Sequence, residues 1–226
     1  METVTSLWRP SLQRSPCSVD AMNSIIYTIG HSTHSIEHFV RLLNQHNVTA
    51  ICDVRSKPYS KFNSQYNRET LRTMLKRHGI TYVFLGKELG ARAEDDSCYE
   101  NGKVRYDKLA STPLFQSGLN RVEKGCTKYS IALMCAERDP IECHRTILVS
   151  RHIEHIGFEV QHILADGRLE SHHLAMNRLI HSLGMNSSDL FRPRIAIEAD
   201  AYQVQGDRIA YTKDSSHQHF GRGEAG

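Results

Sequence analysis

The stretch CAERDPIECHR, residues 135–145, gathers two thiols, an imidazole, two guanidinium groups and three acids into one short run. Thiolates are nucleophiles and metal ligands, an imidazole moves protons near neutral pH, and neighbouring charges bias both. Asp139, Pro140 and Glu142 form a helix-start pattern: a capping side chain, a first-position proline and a capping-box acid. The pattern predicts a helix beginning here, with Cys143 in its first turn or just past it. Backbone partial charge at that position favours the thiolate. Cys143 and Cys135 are therefore the candidate nucleophiles, His31 and His144 the candidate bases, and Glu137 a further acid–base group. The bland alternative makes Cys143 a small core hydrophobe and Arg145 a surface charge.

Such residues need a scaffold. From residue 24 onward, β-branched runs alternate with longer amphipathic stretches, the mark of strands joined by helical crossovers. Strands are expected at about 25–29, 48–54, 80–85, 129–135 and 158–164, and helices at about 35–46, 67–78, 112–124, 139–156 and 170–182. Together they predict a single α/β domain over residues 22–185, doubly wound and Rossmann-like, with a mostly parallel sheet of about five strands. In open parallel sheets the crevice lies beyond the carboxyl ends of the strands. The first expected strand runs into His31 and Ser32, the second into Asp53 and Arg55, and the third leads on to Arg92. The fourth delivers Cys135 and Glu137. Ser32, Asp53, Arg55, Arg92 and Arg145 are accordingly candidate substrate-binding residues. Asp53 and Arg55, two apart on an extended chain, face the same side.

Apolar residues make up 39% and charged residues 23% of the 226, enough for one sizeable core. The net charge of +3 is too small to demand a polyanion partner. The six cysteines are scattered, and no secretory signal or apolar span is visible, so reduced thiols, a cytoplasmic location and no membrane contact are expected. Met22 stands just before the first strand. Residues 1–21 are expected to be a disordered extension or an overlong start, and 186–226 a loosely held tail. The segment 86–107 is a long excursion of the kind that often carries function. Of the histidines, 152, 155, 172, 173 and 181 are expected to face solvent. Cys52 reads as structural, and Cys98 and Cys126 as incidental.

The motifs YTIGHST (27–33), CDVRSKPYS (52–60), LGKELGAR (85–92), MCAERDPIECHR (134–145) and VQHILADG (160–167) together resemble the family catalogued as domain of unknown function 488. The resemblance covers roughly residues 24–182. It implies a compact α/β fold and a shared polar cluster containing His31, Ser32, Asp53, Arg55, Cys135, Glu137, Cys143, His144 and Arg145. It implies no particular reaction.

Four functions fit these residues. The first is a thiol-dependent or acid/base enzyme acting on a small polar or nucleotide-like substrate. The second is sulfur transfer of the rhodanese kind, opposed by Glu137 and Asp139 where an anion-binding loop would need backbone amides and glycine. The third is metal binding by Cys135, Cys143, His144 and perhaps His31. A C-x7-C-H spacing is no zinc-knuckle spacing, so no metal ligand is assigned from sequence. The fourth is a nucleic-acid-binding or repair-associated module using Arg55, Lys57, Lys61, Arg68, Arg72, Arg77, Lys87 and Arg92 around Tyr59, Phe62 and Tyr66, a surface interrupted by Glu69 and Glu88. Cofactor and oligomeric state stay open.

Overall fold

Parallel strands covered on both faces need apolar residues at consecutive positions, and this chain supplies them in short bursts. The structure, a computed structural model, describes residues 25–186 and 192–213. Its strands are β1 (Ile25–Gly30), β2 (Ala50–Asp53), β3 (Thr81–Phe84), the short β4 (Tyr99–Glu100) and β5 (Lys103–Val104), then β6 (Ile131–Cys135), β7 (Glu159–Ile163) and β8 (Leu169–Ser171). The helices are α1 (Ile36–Gln45), α2 (Arg68–Arg77), α3 (Tyr106–Ala110), α4 (Pro113–Cys126), α5 (Arg151–His155), α6 (His172–Ser182) and α7 (Arg194–Ile209). A six-stranded sheet runs in the order β3-β2-β6-β1-β7-β8, parallel throughout except at the β7–β8 edge. The fold is α/β and Rossmann-like, and each of the five expected strands is in the sheet. Sequence patterning had not revealed β8, because three residues are too few to show a period.

Alternate residues along each strand feed opposite cores. Cys52, Leu133 and Cys135 pack with Phe115, Leu119 and Val122 of α4, whereas Ile51, Ala132 and Met134 pack with Phe39 and Leu43 of α1 and Leu71 and Leu75 of α2. Helices thus cover both faces. β1 departs into α1 on one face, and its neighbour β6 departs toward α5 on the other. Adjacent strands whose connections part in this way leave a crevice at their carboxyl ends, and the register pairs Gly30 with Cys135 there.

The helix expected over 139–156 is divided. Asp139 accepts from the Ile141 N–H at 3.1 Å and caps a single 3-10 turn, Pro140–Glu142. Cys143 is then extended (φ −136°, ψ 140°), and a π-helical segment, Arg145–Ser150, precedes α5. π-Helical turns are rare and often sit at functional sites.

The expected loose tail needs correction as well. Residues 194–209 form α7, whose Ile197, Ala201 and Tyr202 join Met176, Leu179 and Ile180 of α6 in a third core. The spacing of Ile197, Ala201 and Gln205 is helical, but the polar Gln205 hides it: this side chain is fully buried and donates to the Ile141 carbonyl at 2.9 Å. The extension expected at 1–21 lies outside the described residues. Cys98, expected to be incidental, is buried in the main core. Among the described residues, no helix is long and apolar enough to cross a membrane.

His172, expected at the surface, is 1% exposed. A hydrogen-bonded chain links Thr28 Oγ1 to His162 Nδ1 (2.7 Å), His162 Nε2 to His172 Nδ1 (3.1 Å) and His172 Nε2 to the Tyr202 hydroxyl (2.6 Å), tying β1, β7, α6 and α7 together. The link between the two rings holds one proton, so both cannot be doubly protonated at once. Burial lowers His172 to about 4 and pushes His162 well down. A group depressed in the folded state contributes stability above its unfolded value of 6.5, lost as pH falls toward 4. Urea unfolding is expected to show a loss of order 3 kcal/mol between pH 6.5 and 4 from His172 alone, with a shallower slope in His172→Gln. A wild-type stability that stays flat across that window would contradict the assignment.

Candidate functional site

The loop after β6 closes over the end of β1, and only glycine permits it: a Cβ at Gly30 would overlap the Glu137 carbonyl oxygen. The His31 and Ser32 amides donate to the Cys135 and Ala136 carbonyls, both at 2.9 Å, which fixes the loop's position. Arg145, 1% exposed, reinforces it by donating from Nη1 to the Glu137 carbonyl at 2.7 Å and from Nη2 to the Arg138 carbonyl at 3.3 Å. Its Nε has no acceptor.

On this frame two thiols and an imidazole meet. Cys135 Sγ lies 3.6 Å and Cys143 Sγ 3.9 Å from His144 Nδ1. All three atoms lie within 4.8 Å of one another, and all three residues are buried. His144 Nε2 is 3.0 Å from the Val54 carbonyl, which can only accept, so Nε2 carries a proton and Nδ1 faces the sulfurs. Cys143 does for the next helix what an N-cap does: its carbonyl accepts from Thr146 and Ile147, and its sulfur accepts from the Arg145 N–H at 3.4 Å. The expected helix-terminus thiol is therefore present, produced by the extended Cys143 rather than by the Asp139 cap.

Electrostatics separate the two thiols. Burial pushes Cys143 up, but the hydrogen bond from Cys135, the Arg145 charge and the His144 ring outweigh it and hold Cys143 well below the usual thiol range. Burial and the neighbouring Cys143 drive Cys135 well above it. For His144, burial opposes protonation and the Cys143 contact outweighs burial, so the ring is raised. Glu137 sits at the exposed rim yet turns its carboxyl inward, with Oε2 2.9 Å from Cys143 Sγ, and burial of that group raises it. In this geometry the Cys143 thiol donates to the Glu137 carboxylate, and the contact with Cys143 adds to burial in raising the carboxyl. The neighbours thus push the groups apart: Cys143 toward the thiolate, Cys135 away from it, and His144 and Glu137 toward their protonated forms.

A pocket of about 290 Å³ opens beside this cluster. Five of the ten expected residues line it: Arg55, Arg92, Cys135, Glu137 and His144. The other five stand apart. Cys143, 1% exposed and outside the lining, is not the exposed nucleophile that its helix-start position had implied. Ser32, at φ 48°, contributes its backbone to the loop contact. Arg145 holds the loop from behind. Asp53 and His31 serve Arg55: Asp53 accepts from Arg55 Nε at 2.9 Å and Nη2 at 2.7 Å, and from the Tyr82 hydroxyl at 2.7 Å.

His31 cannot be a base in this arrangement. Its Nδ1–H donates to the Ser32 carbonyl at 2.8 Å, its Nε2 accepts from Arg55 Nη1 at 3.0 Å, and its ring stacks on Tyr66. Burial and the Arg55 charge lower it to about 4. Arg55 is likewise more committed than the sequence implied, since its remaining Nη2 proton goes to the Tyr66 carbonyl at 2.8 Å.

Sequence reading missed part of the lining. Tyr106, from α3, brings a buried hydroxyl without a partner; Lys57, singled out only as a surface charge, and Glu142, only as a capping residue, also face the pocket. Ile209 and Tyr211 complete the wall from the end of α7, with the Arg92 guanidinium stacked on Tyr211 at 4.2 Å. The basic character of KPYSK and the tyrosine of KVRYD were visible in the sequence. That they converge on one edge was not.

A family model described as Domain of unknown function DUF488 matches residues 35–152, just over half of the chain, including Asp53, Arg55, Cys135, Cys143 and His144. No curated protein and no solved structure matches the chain. By that match the chain belongs to the family described as Domain of unknown function DUF488.

Proposed function

We propose that this protein is an enzyme whose reaction takes place in the pocket at the β1–β6 edge, on a small polar or nucleotide-like substrate bearing an anionic group. The observation that carries this reading is the convergence of Cys135, Cys143, His144 and Glu137, with their protonation states driven apart, beside a concave pocket. Structural cysteines pack as neutral thiols. A buried thiol that Cys135, Arg145 and His144 together hold below its usual range is hard to account for by packing alone. Cys135, His144 and Glu137 are the groups able to touch substrate. Cys143 tunes them from behind.

Substrate charge follows from the rim. Arg55 is neutralised by Asp53, but Lys57 and Arg92 also line the pocket, and the ion pairs of the site include neither of them. Charge-assisted hydrogen bonds to an anion are worth about 1.5–3 kcal/mol each. Incubation with a mixture of phosphorylated and carboxylated metabolites, followed by mass spectrometry, is expected to reveal one consumed compound. KM for it should rise about tenfold or more in Arg92→Ala or Lys57→Ala. Consumption unaffected by either change and by Glu137→Gln would refute the reading.

A nucleic-acid partner is the second reading. It is favoured by Tyr59 and Phe62, 69% and 96% exposed on the loop that leaves the pocket at Lys57, with Lys61 beside them. Single-stranded oligonucleotides belong in the same screen. Sulfur transfer is disfavoured, because the Glu137 carboxyl occupies the surroundings where an outer persulfide sulfur on Cys143 would lie.

A further inference from the structure

We propose that Cys135, Cys143 and His144 bind a single zinc ion whose fourth coordination position faces the pocket. The proposal deepens the enzymatic reading and names the group around which that site would be organised. Around a tetrahedral zinc with sulfur at about 2.3 Å and nitrogen at about 2.0 Å, adjacent ligand atoms stand roughly 3.5–3.8 Å apart. The two sulfur-to-nitrogen separations here are 3.6 and 3.9 Å, and all three donor atoms lie within 4.8 Å of one another. These separations are close to those a tetrahedral zinc would set.

Three further features belong to a metal site rather than to packed thiols. The imidazole presents Nδ1 to the sulfurs while Nε2–H is held by the Val54 carbonyl, the outer hydrogen bond that fixes tautomer and ring direction in metal-bound histidines. Arg145 is fully buried with an unpartnered Nε, and its positive charge lies beside sulfurs that become a pair of thiolates on metal binding. Two thiolates and one imidazole are a borderline-soft donor set, which suits zinc over magnesium, calcium or manganese.

The site is also open. Among the described residues, no fourth Cys, His, Asp or Glu joins the trio at that range, whereas closed structural zinc sites use four protein ligands. Cys135 and His144 both line the pocket, so the free position points there, with the Glu137 carboxyl beside it. Such a position takes a water or a substrate oxygen. The C-x7-C-H spacing concealed this geometry, because β6 and the π-helical segment, rather than a short knuckle, bring the ligands together.

Cobalt(II) added to the chelator-treated full chain under reducing conditions should bind at one equivalent. It should give a thiolate-to-cobalt charge-transfer band and the intense visible bands of a tetrahedral ion, and zinc should displace it. Cys135→Ser, Cys143→Ser and His144→Ala should each weaken binding at least tenfold. X-ray absorption on the wild-type zinc form needs no variant: it should show two sulfurs at about 2.3 Å and nitrogen or oxygen at about 2.0 Å. No charge-transfer band, a band unchanged by losing Cys143, or a shell of four sulfurs or of oxygens alone would overturn the metal site. If no metal binds but metabolite turnover persists and depends on Glu137, the zinc proposal fails alone. If zinc binds as described and no compound is consumed, the enzymatic reading fails and the metal site stands.

Discussion

Replacing Arg55 by alanine is expected to cost about 3–5 kcal/mol of folding stability, far more than loss of a surface charge. Asp53 is fully buried, and its carboxylate receives both Nε and Nη2 of Arg55 along with the Arg55 amide and the Tyr82 hydroxyl. Removing the guanidinium leaves a buried carboxylate with its counter-charge gone and only two donors. The same change strips His31 Nε2 of its donor and the Tyr66 carbonyl of its partner. Thermal unfolding should fall by about 10 °C, at roughly 2–4 °C per kcal/mol for a domain of this size. Arg55→Lys should recover only part of it, because an ammonium cannot fork across both carboxylate oxygens. A loss below about 1 kcal/mol would mean that the pair is solvated in solution and that the end of β2 is looser than described.

The five buried strands were legible because each is a short apolar run, and strand-end logic correctly took Asp53, Cys135 and Glu137 to one edge. What stayed hidden depends on long-range pairing. His172 looks like a helix-surface histidine until His162 and Tyr202, ten and thirty residues away, close around it. α7 looks polar because the buried Gln205 breaks the apolar period that Ile197 and Ala201 begin. The pattern at Asp139 announced a helix start, but the capping that matters chemically lies at Cys143, whose extended backbone no propensity rule foresees. Side-chain roles moved for a similar reason. His31 and Arg55 look like catalytic groups by type, yet each is consumed by partners that the sequence places far away.

Cys143→Ser is expected to lower turnover of the pocket's substrate at least a hundredfold while leaving the fold intact. A serine oxygen can still accept from the Arg145 N–H, as serine does at helix starts, so the backbone around 143–147 has no reason to move. What disappears is the negative charge around which Cys135, His144, Glu137 and Arg145 are arranged. Without it His144 and Glu137 each lose the Cys143 contact that helps to raise them, so the groups lining the pocket relax toward ordinary values. Glu137→Gln, which keeps size and loses the titratable proton, should reduce turnover without abolishing the thiolate.

The roles of the groups around the pocket depend on Cys143 ionising well below the usual thiol range. The direct measurement is ultraviolet thiolate absorbance against pH in chelator-treated protein, taken as wild type minus Cys143→Ser. The difference is predicted to develop well below the unperturbed thiol value of about 8.5. A difference that emerges only at or above about pH 8.5 would make Cys143 an ordinary buried thiol and contradict the account.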